Sequence, residues 1–155
     1  MGGAANLNSQ SRADLMSVIF ISSCRIDAPP AASLVNRLRE ESFYVIHSPR
    51  NPSDGGDARR RNWYEKRCRD EMEQANIFIA VISQEWNCST WMAHEAHEAL
   101  ELIGAGKIQG LYFWNPDRVE VRAPGMSPYL KERLPDDLNE LVRVLSENKS
   151  DKGKS

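Results

Sequence analysis

Short apolar runs alternate with amphipathic stretches along most of the chain. Four runs are apolar almost throughout, as is typical of strands covered on both faces of a sheet: residues 17–22, 43–47, 77–82 and 108–114. Apolar residues recur at helical spacing in four further stretches: residues 30–41, 60–75, 90–103 and 136–146. This order predicts an α/β fold, a flavodoxin-like three-layer sandwich with a central parallel sheet of four to five strands and helices on both faces.

The two ends of the chain differ from its interior. Residues 1–15 and 147–155 are polar and have little to bury, so both are predicted to be disordered tails, and the second can also be a linker. One domain is expected over residues 16–146, a length that suffices for a core without disulfides. Residues 116–135 are rich in proline and are expected to be irregular, with room for a short strand near residues 119–121.

Composition and charge narrow the range of functions. A net charge of −2 argues against a nucleic-acid surface, which would carry a basic excess. No apolar stretch approaches the roughly 20 residues that a membrane span needs, and the first residues lack the apolar core of a signal peptide. The three cysteines are scattered, which favours free thiols in a reducing compartment. A cytoplasmic protein without a nucleic-acid or membrane partner is expected.

The predicted sheet also places a binding site. In open parallel sheets, ligands bind beyond the carboxyl ends of the strands, where the strand order reverses. The loops that follow the first three strands are therefore the predicted walls of the site, at residues 22–29, 48–57 and 83–89.

Signatures of phosphate loops and metal sites are weak. Gln109 stands where a GxGxxG loop would need glycine, and Ile108 stands where a Walker A loop would need serine or threonine. His94 and His97 are three residues apart, whereas the zinc motif HExxH needs histidines four apart. Neither a phosphate loop nor a metal site is predicted.

The helix predicted over residues 90–103 carries one carboxylate next to its apolar stripe. That stripe is expected to face the sheet and consists of Met92, Ala96, Leu100 and Ile103. Glu95 borders the stripe near the start of the helix, while Glu98 and Glu101 are expected to lie further towards solvent. On spacing alone, a solvated glutamate beside a packed Trp91 is the simpler interpretation, and a working carboxylate in a pocket is the alternative.

The sequence around this glutamate matches a known motif. The stretch SQEWNCSTWMAHEA, residues 83–96, resembles without a gap the S-x-x-Y-x-x-S-x-W-C-x-x-E-L signature of Toll/interleukin-1 receptor (TIR) domains. The identical positions are Ser83, Ser89, Trp91 and Glu95. Met92 replaces the cysteine of the signature, and Ala96 replaces its leucine.

Other segments resemble the same family in the same order. FISSCRID, residues 20–27, is similar to its first box, F-[IL]-S-[FY]-x-x-x-D, with Ser23 in place of the aromatic residue. Residues 71–83 and 109–122 are similar to segments around the third and fourth strands of the family. The resemblance therefore covers residues 17–122 well and the last predicted helix loosely.

The resemblance implies a TIR fold and, as in the enzymatic members, Glu95 as the catalytic residue that cleaves NAD+ at its nicotinamide–ribose bond. It further implies that substrate is bound by Ser22, Ser23, Arg25, Asp27, Trp63, Ser89 and Trp91. Structural alternatives remain open, because both tryptophans can be plain packing and Arg25 can pair with a nearby acid. No metal and no separate cofactor are implied, since NAD+ is a substrate that is consumed.

Three functions are compatible with these features. The first is an NAD+ glycohydrolase, ADP-ribosyl cyclase or transferase in immune or antiviral signalling, which by resemblance self-associates and works with a sensor or effector protein. The second is a non-catalytic TIR module that binds other TIR domains through the 48–57 loop and helix faces. The third is an enzyme like the nucleoside deoxyribosyltransferases, which the missing Asp-Gly-x-x-x-x-x-G turn before the helix disfavours.

Overall fold

The computed structural model of the chain describes residues 17–23, 28–47, 66–83, 90–121 and 132–154. Four strands form one parallel sheet within these residues: β1 (Val18–Ser22), β2 (Tyr44–His47), β3 (Ile77–Val81) and β4 (Gly110–Trp114). Their order across the sheet is β2-β1-β3-β4. The chain thus goes from β1 outwards to β2 at one edge of the sheet. It then returns to β3, on the other side of β1, and continues outwards to β4 at the opposite edge.

Helical segments cover the sheet on both sides. They are α1 (Ala28–Glu40), α2 (residues 66–72), α3 (Thr90–Gly104) and α4 (Leu138–Lys154). The predicted α/β class, with a parallel sheet between two helical layers, is confirmed. No helix within the described residues is long and apolar enough to cross a membrane.

Alternate residues of each strand belong to two separate cores, because successive side chains of a strand point to opposite faces of the sheet. On the α1/α4 side, strand residues such as Ile19 and Ile79 pack with Leu34 of α1 and Leu141 of α4. The core of the α2/α3 side consists of Phe20, Cys68, Met72, Ala75, Phe78, Ala80, Ile82, Ala96, Ala99, Leu102 and Ile108. The sheet is therefore buried on both faces, which accounts for its nearly continuous apolar strands.

The last helix is longer than its apolar pattern predicted. It begins at Leu138 and continues to Lys154, and so includes residues 147–154, for which the polar composition predicts a disordered tail or linker. A helix already nucleated against a core can extend by one hydrogen bond per added residue, and this stretch contains no proline to stop it. The apolar spacing located only the part of α4 that packs on the sheet.

The short strand expected near residues 119–121 is absent, and residues 118–121 have no regular structure. The side chain of Asn115 binds the backbone of Val119 twice, accepting its N–H at 2.8 Å and donating to its carbonyl at 2.8 Å. These bonds occupy the groups that a strand would pair. Beside β4, the backbone of Phe113 instead bonds to residues 132 and 134, at 3.0 and 2.8 Å.

Candidate active site

The carboxyl edge of the sheet contains the reversal of strand order. It falls between β1 and β3, because β2 lies beyond β1 and β4 lies beyond β3. Ligands of open α/β sheets bind at such a switch point. Ser22 and Ser23 lie where the chain leaves β1, and Ser83 lies just after β3; all three are buried. The structure therefore brings serines from both sides of the switch point to this edge.

Helix α3 buries Glu95 on its inward face. Glu95 is 1% exposed, and it shares this face with Ala99 and Leu102, at positions i, i+4 and i+7 of the helix. The expected stripe is wrong in one respect, because Leu100 is 37% exposed. The helix is rotated from the predicted setting, so Glu95 lies well within the buried face, and the expectation of a solvated glutamate is wrong.

Ser22 and Glu95 lie on the same side of the sheet. Ser22 follows Phe20 at the strand repeat of two residues, and Phe20 belongs to the same core as Ala96 and Ala99 of α3. Helix α3 packs directly on β1. It starts after the carboxyl end of β3 and returns to the start of β4, so its first half, which includes Glu95, lies towards the carboxyl edge. The two residues are therefore placed around one region of the switch point.

A buried carboxylate is a costly feature. Glutamate is almost never fully buried unless its charge is compensated, because removing an ionised group from water is strongly unfavourable. Both carboxylate oxygens of Glu95 are buried. The positive end of the α3 dipole favours a negative charge here only modestly, since Glu95 is in the second turn of the helix. Buried acids of this kind are enriched at functional sites.

A second glutamate of α3 is buried for a different reason. Glu98 was expected to point towards solvent, but it is 9% exposed. Its Oε1 lies 3.6 Å from Nη2 of Arg69 in α2 and 3.9 Å from Nε2 of His94. Glu98 therefore links α3 to α2. The partner that draws it inwards comes from another helix, so the spacing within α3 could not indicate it.

The two histidines of α3 each face a glutamate one turn further along the helix. His94 is near Glu98, and Nε2 of the exposed His97 lies 3.2 Å from Oε1 of Glu101. Within the described parts of the chain, no group of three or more histidine, cysteine, aspartate or glutamate side chains could hold a metal ion. Each histidine therefore has a glutamate of the same helix as a neighbour, closer for His97 than for His94.

Ser23 lies on the opposite side of the sheet from Ser22 and contacts His47, which was not predicted as a site residue. Its Oγ is 2.7 Å from Nε2 of His47, the last residue of β2. Ser23 is fully buried. His47 could have been found from sequence, because it ends a predicted strand and the carboxyl ends of parallel strands meet at one edge of the sheet.

The remaining predicted site residues stay predictions. Arg25, Asp27, Trp63 and Ser89 lie outside the described residues, and only the backbone of Trp91 is described, in the first turn of α3. Comparison of the chain with models of known protein families and with curated proteins found no match.

Proposed function

We propose that this protein is a TIR-type NAD+ glycohydrolase, which cleaves the nicotinamide–ribose bond of NAD+ and transfers the ADP-ribosyl group to an acceptor. The observation that carries the proposal is the burial of Glu95, 1% exposed, on the face of α3 that packs on β1. The motif that resembles the TIR signature gives this same residue the catalytic role. The location of the glutamate and the motif thus support one assignment independently.

The chemistry of NAD+ explains how one carboxylate can suffice. Nicotinamide is bound in NAD+ as a cationic pyridinium group, and it leaves as a neutral molecule that keeps the electron pair of the broken C–N bond. Ordinary glycoside hydrolysis uses a second carboxyl group to protonate the leaving oxygen. Here no proton has to be delivered to the leaving group, so a single ionised glutamate can serve.

Glu95 would act on the ribose. As the C–N bond breaks, positive charge develops on the sugar, and an ionised carboxylate that holds the ribose hydroxyls stabilises it. This attraction is stronger at a site removed from water. With water as acceptor, the products are ADP-ribose, nicotinamide and one proton. With an internal adenine nitrogen the product is a cyclic isomer, and with another nucleophile it is a conjugate.

The other site residues would bind the substrate. Ser22, on the same side of the sheet as Glu95, is the described residue best placed to contribute a polar contact beside the ribose. Arg25, Asp27, Trp63, Ser89 and Trp91 complete the pocket by resemblance. Ser23 is assigned to the pocket by the same resemblance, although its hydroxyl lies on the side of the sheet opposite Ser22 and bonds to His47. The resemblance implies no metal and no separate cofactor, since NAD+ is a substrate that is consumed.

The proposed setting is immune or antiviral signalling in the cytoplasm, away from membranes and nucleic acids. Enzymatic TIR domains generally work as assemblies, so we propose that the chain self-associates and responds to a sensor or effector protein. Specific activity is then expected to rise with protein concentration. A constant specific activity over a roughly hundredfold concentration range would contradict this.

The test is nicotinamide release from NAD+ by concentrated protein, with products separated by chromatography. Glu95→Gln keeps the shape of the side chain and removes its charge, so turnover should fall by about 100- to 1,000-fold, the usual cost of one electrostatic group at a transition state. Glu101→Gln is the matched control, because Glu101 is on the same helix but exposed. That variant should behave like the wild type.

The outcomes separate the candidate functions. Release by the wild type and the control but not by Glu95→Gln supports the proposal, and the second product identifies the acceptor. No release by the wild type, even when the protein is artificially clustered, would overturn it in favour of a non-catalytic interaction module. Equal release by all three proteins would remove Glu95 from the mechanism.

A further inference from the structure

One hydrogen bond at the carboxyl edge joins the ends of two neighbouring strands. Ser23 Oγ, directly after β1, lies 2.7 Å from Nε2 of His47, which ends β2. We infer that His47 is a positioning residue of the NAD+ site, which holds the chain where it leaves β1 and so fixes Ser22 opposite α3. This inference rests on the proposed function and deepens it, because the resemblance to TIR domains gives His47 no part.

The register of the sheet sets up the contact. His47 is paired with Ile21, two residues before Ser23. Since side chains alternate along a strand, Ser23 and His47 both lie on the α1/α4 side, while Ser22 lies on the side of α3. Ser22 and Ser23 share one planar peptide unit, so a fixed Ser23 side chain restricts the backbone beside Ser22. His47 therefore restricts the backbone beside Ser22, although the His47 side chain lies on the other side of the sheet from Ser22 and Glu95.

Burial makes this bond effective. Ser23 is fully buried and His47 is partly buried, so water competes little for the hydroxyl. The serine hydroxyl donates to Nε2 when that nitrogen carries no proton and accepts from it when it does. The bond persists in both states of the ring. Loss of either partner removes the restraint on the chain after β1.

The position of the contact gives it a role in binding. The segments that follow Ser23 and His47 are residues 24–29 and 48–57, which the sequence predicts as walls of the site. Ser23 and His47 are the last described residues before these segments, so the bond between them fixes the two points at which the chain leaves the sheet. Small errors in the placement of a reacting group are costly, and a displacement of about 1 Å can lower a rate by roughly a hundredfold.

The experiment measures kcat and KM for nicotinamide release by the wild type and three variants. His47→Leu and Ser23→Ala each remove the bond and should lower kcat/KM by about 10- to 100-fold. The double variant should lose little more than either single variant, because residues in one hydrogen bond are not additive. His47→Gln can place an amide where Nε2 lies, so it should stay within about threefold of the wild type.

His97→Gln is the matched control, since His97 is exposed on the outer side of α3 and should leave both constants unchanged. A purely structural role of His47 would lower the unfolding midpoint and leave kcat and KM of the folded variants unchanged, which would overturn the inference. Additive losses in the double variant would overturn it as well. If His47→Leu does not fold, Ser23→Ala and His47→Gln decide the question.

The failure of this inference can be distinguished from the failure of the proposed function. A wild-type protein that releases nicotinamide, with variants that release it equally well, would remove the role of His47 and leave the function intact. A wild-type protein that releases none would overturn the proposed function, and this inference with it.

Discussion

The two sides of the sheet are built differently. On the α1/α4 side, both the strands and the helices contribute long aliphatic or aromatic side chains to the core. On the α2/α3 side, the sheet presents the stacked rings of Phe20 and Phe78, 5.7 Å apart, while the inward face of α3 includes Ala96 and Ala99. Both buried glutamates of the described residues, Glu95 and Glu98, are on this second side.

The difference indicates a division of roles. Ala96 and Ala99 are small, so the backbone of α3 can lie close to the sheet. Residues next to them on the helix are then buried even where their side chains are polar. Glu95 and Glu98 occupy such positions. No acidic side chain is buried on the first side among the described residues, and the core there is apolar. We therefore expect changes in the apolar core of the first side to affect stability alone. Changes on the second side, and at the contact between Ser23 and His47, are expected to affect NAD+ cleavage as well.

The largest effect on stability is expected from Leu34→Ala. Leu34 of α1 is fully buried in the core of the first side. Its truncation should lower the free energy of unfolding by about 3 kcal/mol, within the range of roughly 2–5 kcal/mol for such changes. Urea unfolding measures this loss. Nicotinamide release per folded molecule should not change, and a variant that remains stable but loses activity would break the division between the sides.

The substitution Ala99→Leu tests whether packing on the α2/α3 side controls both stability and NAD+ cleavage. Ala99 is fully buried, and three added carbons must fit between α3 and the phenylalanine rings of the sheet. Overpacking of this kind costs roughly 1–3 kcal/mol. Because α3 must move outwards, Glu95 moves with it, so nicotinamide release per folded molecule should fall as well. Unchanged activity in a destabilised variant would show that the position of α3 does not control the site.

The sequence predicted the layers of this fold well, because the strands are apolar on both faces and the helices have clear periodicity. It did not predict the rotation of α3. Leu100 favoured one face of the helix as the buried one. Ala96, Ala99 and Leu102 instead lie on the face that packs on the sheet. Side-chain volume against a particular sheet decides between such faces, and that information is not present in the spacing of apolar residues.

The site was only partly predictable for a similar reason. Glu95 was found through a motif, which identifies a residue without showing its burial. Glu98 and His47 each depend on a partner distant in sequence, Arg69 for the first and Ser23 for the second. Such contacts follow from the packing of helices and the register of strands. A pattern read along one segment does not contain them.

The central claim is that Glu95 is buried for chemistry and Glu98 for the packing of α3 on α2. The most direct measurement is the free energy of unfolding of Glu95→Gln and Glu98→Gln against the wild type. Glu98→Gln breaks contacts with Arg69 and His94 and should lower stability by up to about 1 kcal/mol, since Arg69 is half exposed. Glu95→Gln removes a buried charge, whose desolvation is costly, and should lower stability less than Glu98→Gln does, as is common where function has a stability cost. A larger loss of stability in Glu95→Gln than in Glu98→Gln would make Glu95 a structural residue and contradict the account.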